Sequence, residues 1–286
     1  MSLPRSSQPP RSQISRPQVN QQNENHVNDW TRHTDGPESA NVRTTRNPLE
    51  TPQTAPKKRG MRKKANIKIG TLNINGLHTG TESGVSFEKW AEVNATMKKD
   101  KIAILAIQET HLDEPSLQAI HRAFGKRLRI INSQLENNPR ASAGVAFALN
   151  KDLVETDNIK SYDLIRGRAI AVRLTWKNNE VTTLVNVYAP NRKNEHKNFW
   201  EKVLAEMTKH NVPRPDFTLG DFNITEDVID RMPPKLDNEG ATCALREFRL
   251  EAGVQDQWRH AYPKAREYTY RGMANGKPIK SRLDRI

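Results

Sequence analysis

A continuous apolar run, Ile102–Ile107, is the feature that most restricts how this chain can fold. Uninterrupted apolar residues fit a strand that is buried on both faces, because a strand with one solvated face alternates apolar and polar residues. Such a strand requires packed structure above and below its sheet. The run ends directly in Gln108-Glu109-Thr110, so that a carboxylate follows the buried strand.

Short apolar strands and helical stretches alternate along the chain after residue 65, which predicts a mixed sheet or sheets with helices outside. Strands are predicted at Ile67–Asn73, Ile102–Ile107, Leu128–Ile131, Ala143–Leu149, Ala169–Trp176, Val181–Val187 and Phe217–Gly220, and helices at Val85–Lys99, Glu114–Phe124, Asn194–Lys209 and Ala241–Ala252. A four-residue polar turn joins Ala169–Trp176 to Val181–Val187, which indicates an antiparallel hairpin.

Residues 1–65 differ in composition from the rest, because they hold 8 of the 17 prolines and only scattered large apolar residues. Such a segment buries too little apolar area to offset the entropy of ordering it. We predict a disordered, basic, Pro-rich and polar tail at 1–65 and one folded domain at 66–286. The tail ends in Lys57–Lys64, with six cations in eight residues, which fits a nuclear import signal, a phosphate-binding arm or a solvated linker.

The net charge of +13 favours a polyanionic partner, such as nucleic acid or an anionic membrane surface, although a solvated basic surface has the same composition. Cys243 is the one cysteine, which excludes a disulfide framework or a thiolate zinc site within one chain. No apolar run approaches the roughly 18 residues of a membrane span, and the N-terminus has no signal-peptide core. These features predict a soluble intracellular protein, while the oligomeric state stays open.

Acidic or amide side chains follow four of the predicted strands, in the segments Asn73–Gly76, Gln108–Thr110, Tyr188–Asn191 and Gly220–Asn223. In α/β architectures the loops at one edge of a sheet converge on a common crevice. Carboxylate and carboxamide oxygens suit Mg²⁺, or Mn²⁺, far better than zinc. Each segment alone also fits an ordinary turn or helix start, for example with Thr110 as a cap. Together, in this order, they are more specific than any one of them.

This combination of segments resembles the endonuclease/exonuclease/phosphatase superfamily, and most of all the endonuclease domains of LINE-type (non-LTR) retrotransposons. The superfamily also includes abasic-site repair nucleases, inositol polyphosphate phosphatases and neutral sphingomyelinases. The resemblance covers about residues 66–286. The matching segments are TLNINGL at 71–77, IQETHL at 107–112, VNVYAPN at 185–191, LGDFNIT at 219–225, DQWRHAYP at 256–263, YTYRG at 268–272 and SRLDRI at 281–286.

The resemblance implies an α/β fold, a four-layer sandwich of two mixed β-sheets flanked by helices, and a DNA-nicking phosphodiesterase that uses Mg²⁺. It implies that Glu109 is the principal metal ligand, with Asn73 beside it. Asp221 would position or deprotonate the attacking water, or bind metal. Asn75 stands where repair members often carry Asp, so a second carboxylate is absent at that place.

The remaining roles that the resemblance implies concern the scissile phosphate and a histidine. Asn223 and Asn191 would hold the phosphate, and Tyr188 would donate a hydrogen bond to it. Asp284 would orient a histidine that follows it, but no histidine follows Asp284 in this sequence. Because family members normally end in a further strand and a Ser-Asp-His or similar triplet, we expect a C-terminally truncated domain that lacks its last strand or strands.

General acid–base groups contribute about 10²–10⁴-fold in rate, so we expect an impaired nuclease. The basic tail and the DNA substrate predict a nuclear location without membrane attachment. Two alternatives remain at this point. One is a non-catalytic nucleic-acid-binding remnant, and the other is a phosphatase or phosphodiesterase of the same superfamily that acts on inositol or sphingolipid head groups.

Overall fold

The computed structural model of the chain describes residues 67–76, 87–140, 142–176 and 179–286. The predicted tail at 1–65, with its basic run Lys57–Lys64, lies outside the described residues and stays a prediction. The described residues form twelve strands and five α-helices. The strands are β1 (Lys68–Asn73), β2 (Ile102–Gln108), β3 (Leu128–Ser133), β4 (Val145–Asn150), β5 (Lys160–Ile165), β6 (Ala169–Thr175), β7 (Val181–Tyr188), β8 (Phe217–Asp221), β9 (Arg231–Met232), β10 (Tyr270–Ala274), β11 (Lys277–Ser281) and β12 (Asp284–Arg285). The helices are α1 (Phe87–Lys99), α2 (Glu114–Phe124), α3 (His196–Lys209), α4 (Glu239–Ala252) and α5 (Gln257–Ala261).

Two mixed sheets form the centre of the domain. The four-stranded sheet has the order β1-β2-β4-β3, in which β1 and β2 are parallel and the other neighbours are antiparallel. The five-stranded sheet has the order β12-β8-β7-β6-β5, in which only β7 and β8 are parallel. The hairpin predicted between β6 and β7 is confirmed, because the two strands pair antiparallel from Ala169 opposite Val187 to Thr175 opposite Val181.

Three apolar cores separate four layers, as the resemblance implied. One core lies between the sheets and contains Ile104, Phe147, Val172 and Leu184 among its buried side chains. A second core joins the four-stranded sheet to α1 and α2, and a third joins the five-stranded sheet to α3 and α4. The buried run in β2 therefore has side chains in a core on each face, which explains its lack of alternation. The four-layer α/β sandwich is confirmed.

Side-chain caps determine where two of the outer helices begin. Asp113 accepts a hydrogen bond from the Ser116 amide at 2.9 Å and caps α2, so this cap is not Thr110. Asn238 caps α4 in the same way, and α4 ends at Gly253, whose φ of 71° suits glycine. No helix among the described residues is both long enough and apolar enough to cross a membrane.

A third, three-stranded sheet of order β10-β11-β9 precedes the last strand. The hairpin β10–β11 closes on Asn275-Gly276, because Ala274 pairs with Lys277 and both turn residues have positive φ. Asn-Gly is the preferred sequence for such a two-residue turn. The short strand β12 then pairs with β8 and brings Asp284 opposite Asp221.

Candidate active site

Strand alternation carries polar side chains from both sheets to one edge of the inter-sheet space. Along β2, Ile104 and Ala106 lie in the inter-sheet core and Gln108 follows them on the same face. On β7 the corresponding series is Leu184, Asn186 and Tyr188. The same two-residue spacing puts Asn73 at the end of β1 and Asp221 at the end of β8. The apolar core thus gives way to a polar site where these four strands end.

The carboxamide of Asn73 joins the two sheets at this edge. Its Nδ2 donates to Glu109 Oε1 at 2.9 Å and to Asp221 Oδ2 at 3.1 Å. Glu109 follows β2 of one sheet, whereas Asp221 ends β8 of the other. The Asn73 Oδ1 atom in turn accepts the amide N–H of Asn75 at 2.9 Å. One amide side chain therefore holds a carboxylate from each sheet.

Asp221 is almost fully buried, with 6% of its surface exposed. Its burial, and then the nearby carboxylate of Asp284, raise the pKa of Asp221 to about 7, although hydrogen bonds from Asn73 and Asn223 oppose the shift. Burial also raises the pKa of Asp284, and the Asp284 Oδ1 atom has no hydrogen-bond partner in the described part of the chain. Asp221 is thus an acid that exchanges its proton near neutral pH.

Tyr188 lies behind Glu109 and is 5% exposed. Burial, followed by the charge of Glu109 and a hydrogen bond to it, raises the pKa of the phenol, so Tyr188 stays protonated and donates to that carboxylate. The guanidinium of Arg168 lies over the Tyr188 ring, 4.6 Å from its centre. A phosphate contact by Tyr188 stays a prediction, because its hydroxyl is directed to Glu109 here.

The loops that carry the site hold several residues in the left-handed region of backbone conformation. Asn75, Glu109 and Asn223 have φ values of 41°, 53° and 51°. Asparagine tolerates this region, but for a glutamate it is uncommon and costs about 1–3 kcal/mol, a strain that is typical of functional sites. Lys89 on α1 steadies the first loop, since its Nζ donates to the carbonyl oxygens of Ile74, at 2.7 Å, and Asn75.

The amide groups predicted to hold a phosphate surround a common cavity of about 1070 Å³. Its walls include Asn73, Asn75, Glu109, Asn191, Asp221, Asn223 and Asp284. Asn191 is exposed to the cavity. Asn223 is tied to the loop after β7, because its Nδ2 donates to the Ala189 carbonyl at 2.9 Å, while its backbone N–H binds Asp221 Oδ1 at 3.0 Å. Every predicted site residue except Tyr188 therefore lines one cavity.

The structure also adds residues that the sequence did not single out. Thr269 contacts the site from the segment before β10, where its Oγ1 accepts the backbone N–H groups of Leu283, at 3.0 Å, and Asp284, at 3.1 Å. Gln108 and Asn186, directly below the site, are bonded to each other across the sheets at 2.7 Å. Alternation along each strand indicates that Gln108 lies on the same face as Ile104 and Ala106, and Asn186 on the same face as Leu184. Their hydrogen bond, however, joins residues 78 positions apart in the sequence, and no local pattern reveals it.

The donor set at this edge fits a hard divalent cation. Glu109, Asp221 and Asn73 offer carboxylate and amide oxygens, and burial, followed by the charges of Asp284 and Glu109, raises the pKa of Asp221. The described residues contain no group of three or more His, Cys, Asp or Glu side chains that could hold a metal ion by themselves. Mg²⁺ takes few protein carboxylates and keeps several waters, so the sparse set suits it better than it suits zinc.

Comparison with known proteins gives one curated relative and several solved structures. No protein-family model matches the chain. The "Transposon TX1 uncharacterized 149 kDa protein" of Xenopus laevis is 28% identical over 220 residues, which cover 77% of this chain and 16% of that protein. The chain thus spans about a sixth of the length of this relative.

Among the similar solved structures is the endonuclease domain of TRAS1, a telomere-specific non-LTR retrotransposon, with 16% identity and a TM-score of 0.52, covering 77% of this chain and 84% of that one. The AP endonuclease LMAP of Leishmania major has 18% identity and a TM-score of 0.59, covering 77% and 78%. An AP endonuclease of Archaeoglobus fulgidus has 22% identity and a TM-score of 0.55, covering 77% and 85%. The chain therefore has the fold of the superfamily that its sequence resembles.

Proposed function

We propose that this chain, which has the endonuclease/exonuclease/phosphatase fold, is a divalent-metal-dependent phosphodiesterase that nicks DNA. The observation that carries the proposal is the Asn73 amide, which donates to one carboxylate from each sheet, Glu109 and Asp221. Carboxylates beside amide donors at the end of an α/β sandwich suit phosphodiester hydrolysis. The endonucleases among similar structures, the transposon relative and the net charge of +13 support DNA as the substrate.

In this proposal Glu109 would hold Mg²⁺, or Mn²⁺ in its place, with Asn73 beside it as a further ligand. The bound cation would neutralise charge on the non-bridging phosphate oxygens and on the leaving group. Tyr188 orients Glu109, since its hydroxyl donates to that carboxylate. Glu109 has a left-handed backbone, and its carboxylate shares the Asn73 amide with the carboxylate of Asp221.

Asp221 is proposed to accept the proton of the attacking water. Its pKa of about 7 suits a general base, because half of the carboxyl groups are ionised near neutral pH and the ionised form binds a proton readily. Asn223 keeps one Asp221 oxygen in place through its backbone N–H. The side chains of Asn191 and Asn223 would donate to the scissile phosphate without repelling it, as uncharged groups can.

The resemblance implies that Asp284 orients an imidazole, but no histidine follows Asp284 in this sequence. Its Oδ1 atom is buried without a hydrogen-bond partner in the described part of the chain, and no described histidine lines the cavity. We propose that the 286 residues nick DNA slowly by themselves, at a rate about 10²–10⁴-fold below that of a site that includes an imidazole as general acid.

The basic run Lys57–Lys64 is proposed to direct the chain to the nucleus and to add phosphate contacts.

Nicking of supercoiled plasmid tests the proposal. The full chain is expected to convert supercoiled to open-circular DNA with Mg²⁺ and not with a chelator, and Glu109→Ala is expected to abolish conversion. Glu114→Gln is the matched control, since Glu114 is exposed at the start of α2, five residues along the chain, and should leave nicking unchanged. Equal nicking by the wild type and Glu109→Ala would show a contaminating nuclease and would sink the proposal.

The alternatives predict other outcomes in the same assay. Release of phosphate from inositol polyphosphates, or of head groups from sphingomyelin, without plasmid nicking would favour a different substrate for the same site. Salt-sensitive DNA binding that is unchanged by chelator, with no cleavage of any substrate, would favour a non-catalytic nucleic-acid-binding protein.

A further inference from the structure

Three polar side chains form a layer between the apolar inter-sheet core and the proposed active site. Each lies one or two positions before a residue of the proposed site: Thr71 before Asn73, Gln108 before Glu109, and Asn186 before Tyr188. Gln108 and Asn186 have no exposed surface, whereas Thr71 reaches the cavity wall. We name these three residues the inter-sheet bridge.

Hydrogen bonds of the inter-sheet bridge tie β1, β2 and β7 together. Gln108 Nε2 donates to Asn186 Oδ1 at 2.7 Å and to Thr71 Oγ1 at 3.1 Å, and the Thr71 hydroxyl lies 3.3 Å from Gln108 Oε1. Asn186 Nδ2 donates to the carbonyl oxygens of Ile107, at 3.0 Å, and Ala146, at 2.9 Å. A side chain of the five-stranded sheet therefore bonds to the backbone of two strands in the other sheet.

Every polar group of the buried Gln108 and Asn186 side chains has a hydrogen-bond partner, so the bridge is compatible with one relative position of the two sheets. Apolar contacts between two sheets are tolerant of sliding, since dispersion and the hydrophobic effect are non-directional. Amide hydrogen bonds in a dry interior are directional, and a fully satisfied network selects one arrangement. The bridge thus fixes the offset between the sheets at the level directly below Glu109 and Tyr188.

We propose that Gln108 and Asn186 are positioning residues, which hold the strand ends of the two sheets at the separation that the metal and phosphate groups require. The inference rests on the proposed function, because it concerns the same site. Asn186 acts through β2, whose carbonyl at Ile107 it binds next to Gln108 and Glu109. Misplacement of catalytic groups by about 1 Å can cost around 10²-fold in rate, so a small slide of the sheets is sufficient.

The test is a Mg²⁺ titration of plasmid nicking by Asn186→Leu, which keeps the side-chain size and removes three hydrogen bonds. We expect the Mg²⁺ concentration for half-maximal nicking to rise about 10- to 100-fold, with KM for DNA near the wild-type value. Thr71→Val keeps the side-chain shape and should fold even if Asn186→Leu does not. It is expected to change the Mg²⁺ response in the same direction and by a smaller factor.

Val172→Ala is the matched control, because Val172 is fully buried in the same inter-sheet core and pairs with Leu184, two residues before Asn186. It should lower the thermal midpoint and leave the Mg²⁺ response unchanged. The inference is overturned if Asn186→Leu or, where that variant does not fold, Thr71→Val keeps the wild-type response. It is also overturned if Val172→Ala shows an equal change.

A second readout without DNA separates this inference from the proposed function. Mg²⁺ is expected to raise the thermal midpoint of the wild type and of Val172→Ala at the same concentrations. The Asn186 or Thr71 variant is expected to need about tenfold more Mg²⁺ than the wild type for the same rise. If the wild type does not nick but this pattern holds, the proposed function fails and the positioning role stands. If the wild type nicks and all variants respond alike to Mg²⁺, the positioning role fails alone.

Discussion

The carboxyl group of Asp221 shows how the burial of one acidic side chain weakens a fold. Its pKa is about 7 in the folded chain, against about 4 for an exposed aspartate. Between those values the folded chain binds more protons than the unfolded chain, so the free energy of unfolding falls as pH rises from about 4 to about 7. Above pH 7 both states are ionised and the loss is complete.

Asp221→Asn is therefore expected to stabilise the metal-free chain relative to the wild type, by an amount that grows between pH 5 and pH 8. Each kcal/mol relieved raises the thermal midpoint by roughly 2–4 °C in a chain of this size. Thermal unfolding in chelator measures the effect, with Asp157→Asn in an exposed loop as the control. A difference in thermal midpoint between Asp221→Asn and wild type that is the same at pH 5 and pH 8 would show that the Asp221 pKa does not affect stability.

At the scale of strands and loops, the close approach of β7 and β8 requires a glycine. A Cβ atom at Gly220, whose φ is 136°, would lie 2.0 Å from the carbonyl oxygen of Val187, which is backbone and cannot turn away. Because Asp221 follows directly, this contact also sets how closely Asp221, the proposed base, lies to Tyr188 on the neighbouring strand.

Gly220→Ala is expected to cost about 3 kcal/mol or more, from overpacking of about 1–3 kcal/mol and backbone strain of similar size. Gly276→Ala separates the two contributions, because Gly276 also has positive φ, of 73°, but a Cβ there meets nothing within 4 Å. That control should cost about 1–2 kcal/mol. Urea unfolding gives both values, and equal losses for the two variants would show that the close approach has no energetic weight.

Elements with strong local patterns could be predicted from the sequence, and elements that depend on distant partners could not. The bounds of α2 agree with the prediction at both ends, and β2, β6 and β7 agree within one residue. The strand β5, Lys160–Ile165, was missed because its outer positions are exposed and polar, while β9 and β12 have only two residues each. The hairpin β10–β11 did carry a local signal, the Asn275-Gly276 turn.

The same distinction applies to the site. Asn73, Glu109 and Asp221 could be predicted as candidates because Asn73 and Asp221 end recognisable strands and Glu109 directly follows one. Thr269, Lys89 and the inter-sheet bridge could not, because their roles arise from partners that only the folded chain brings near. The bridge from Gln108 to Asn186, for example, depends on how one sheet lies over the other.

At the scale of the whole molecule, a buried ion network joins the segment before β12 to α5 and to the residue before β9. Asp230 is 1% exposed and accepts from Arg282 Nε at 2.9 Å and Nη2 at 2.8 Å, with Arg259 as a further partner. Arg282 also binds Asp256, which caps α5. The network therefore connects α5 and the segment before β12, and it places Asp284 opposite Asp221.

Asp230→Asn is expected to lower the free energy of unfolding by about 3–5 kcal/mol, because it leaves buried guanidinium groups without a full counter-charge. Asp152→Asn is a control of the same chemistry, since Asp152 pairs with Arg127 at the surface, where such pairs contribute at most about 1 kcal/mol. Chemical denaturation of both variants measures the difference. A loss below about 1 kcal/mol for Asp230→Asn would mean that other contacts hold this region.

We propose that the strand ends of the two sheets form one site for a divalent cation, with Glu109 as its main ligand. Binding of Mn²⁺ to the metal-free full chain, followed by electron paramagnetic resonance, measures this site. We expect one site per chain whose dissociation constant rises at least about tenfold in Glu109→Gln and stays at the wild-type value in Glu114→Gln. Unchanged Mn²⁺ binding in Glu109→Gln, or an equal loss in both variants, would contradict it.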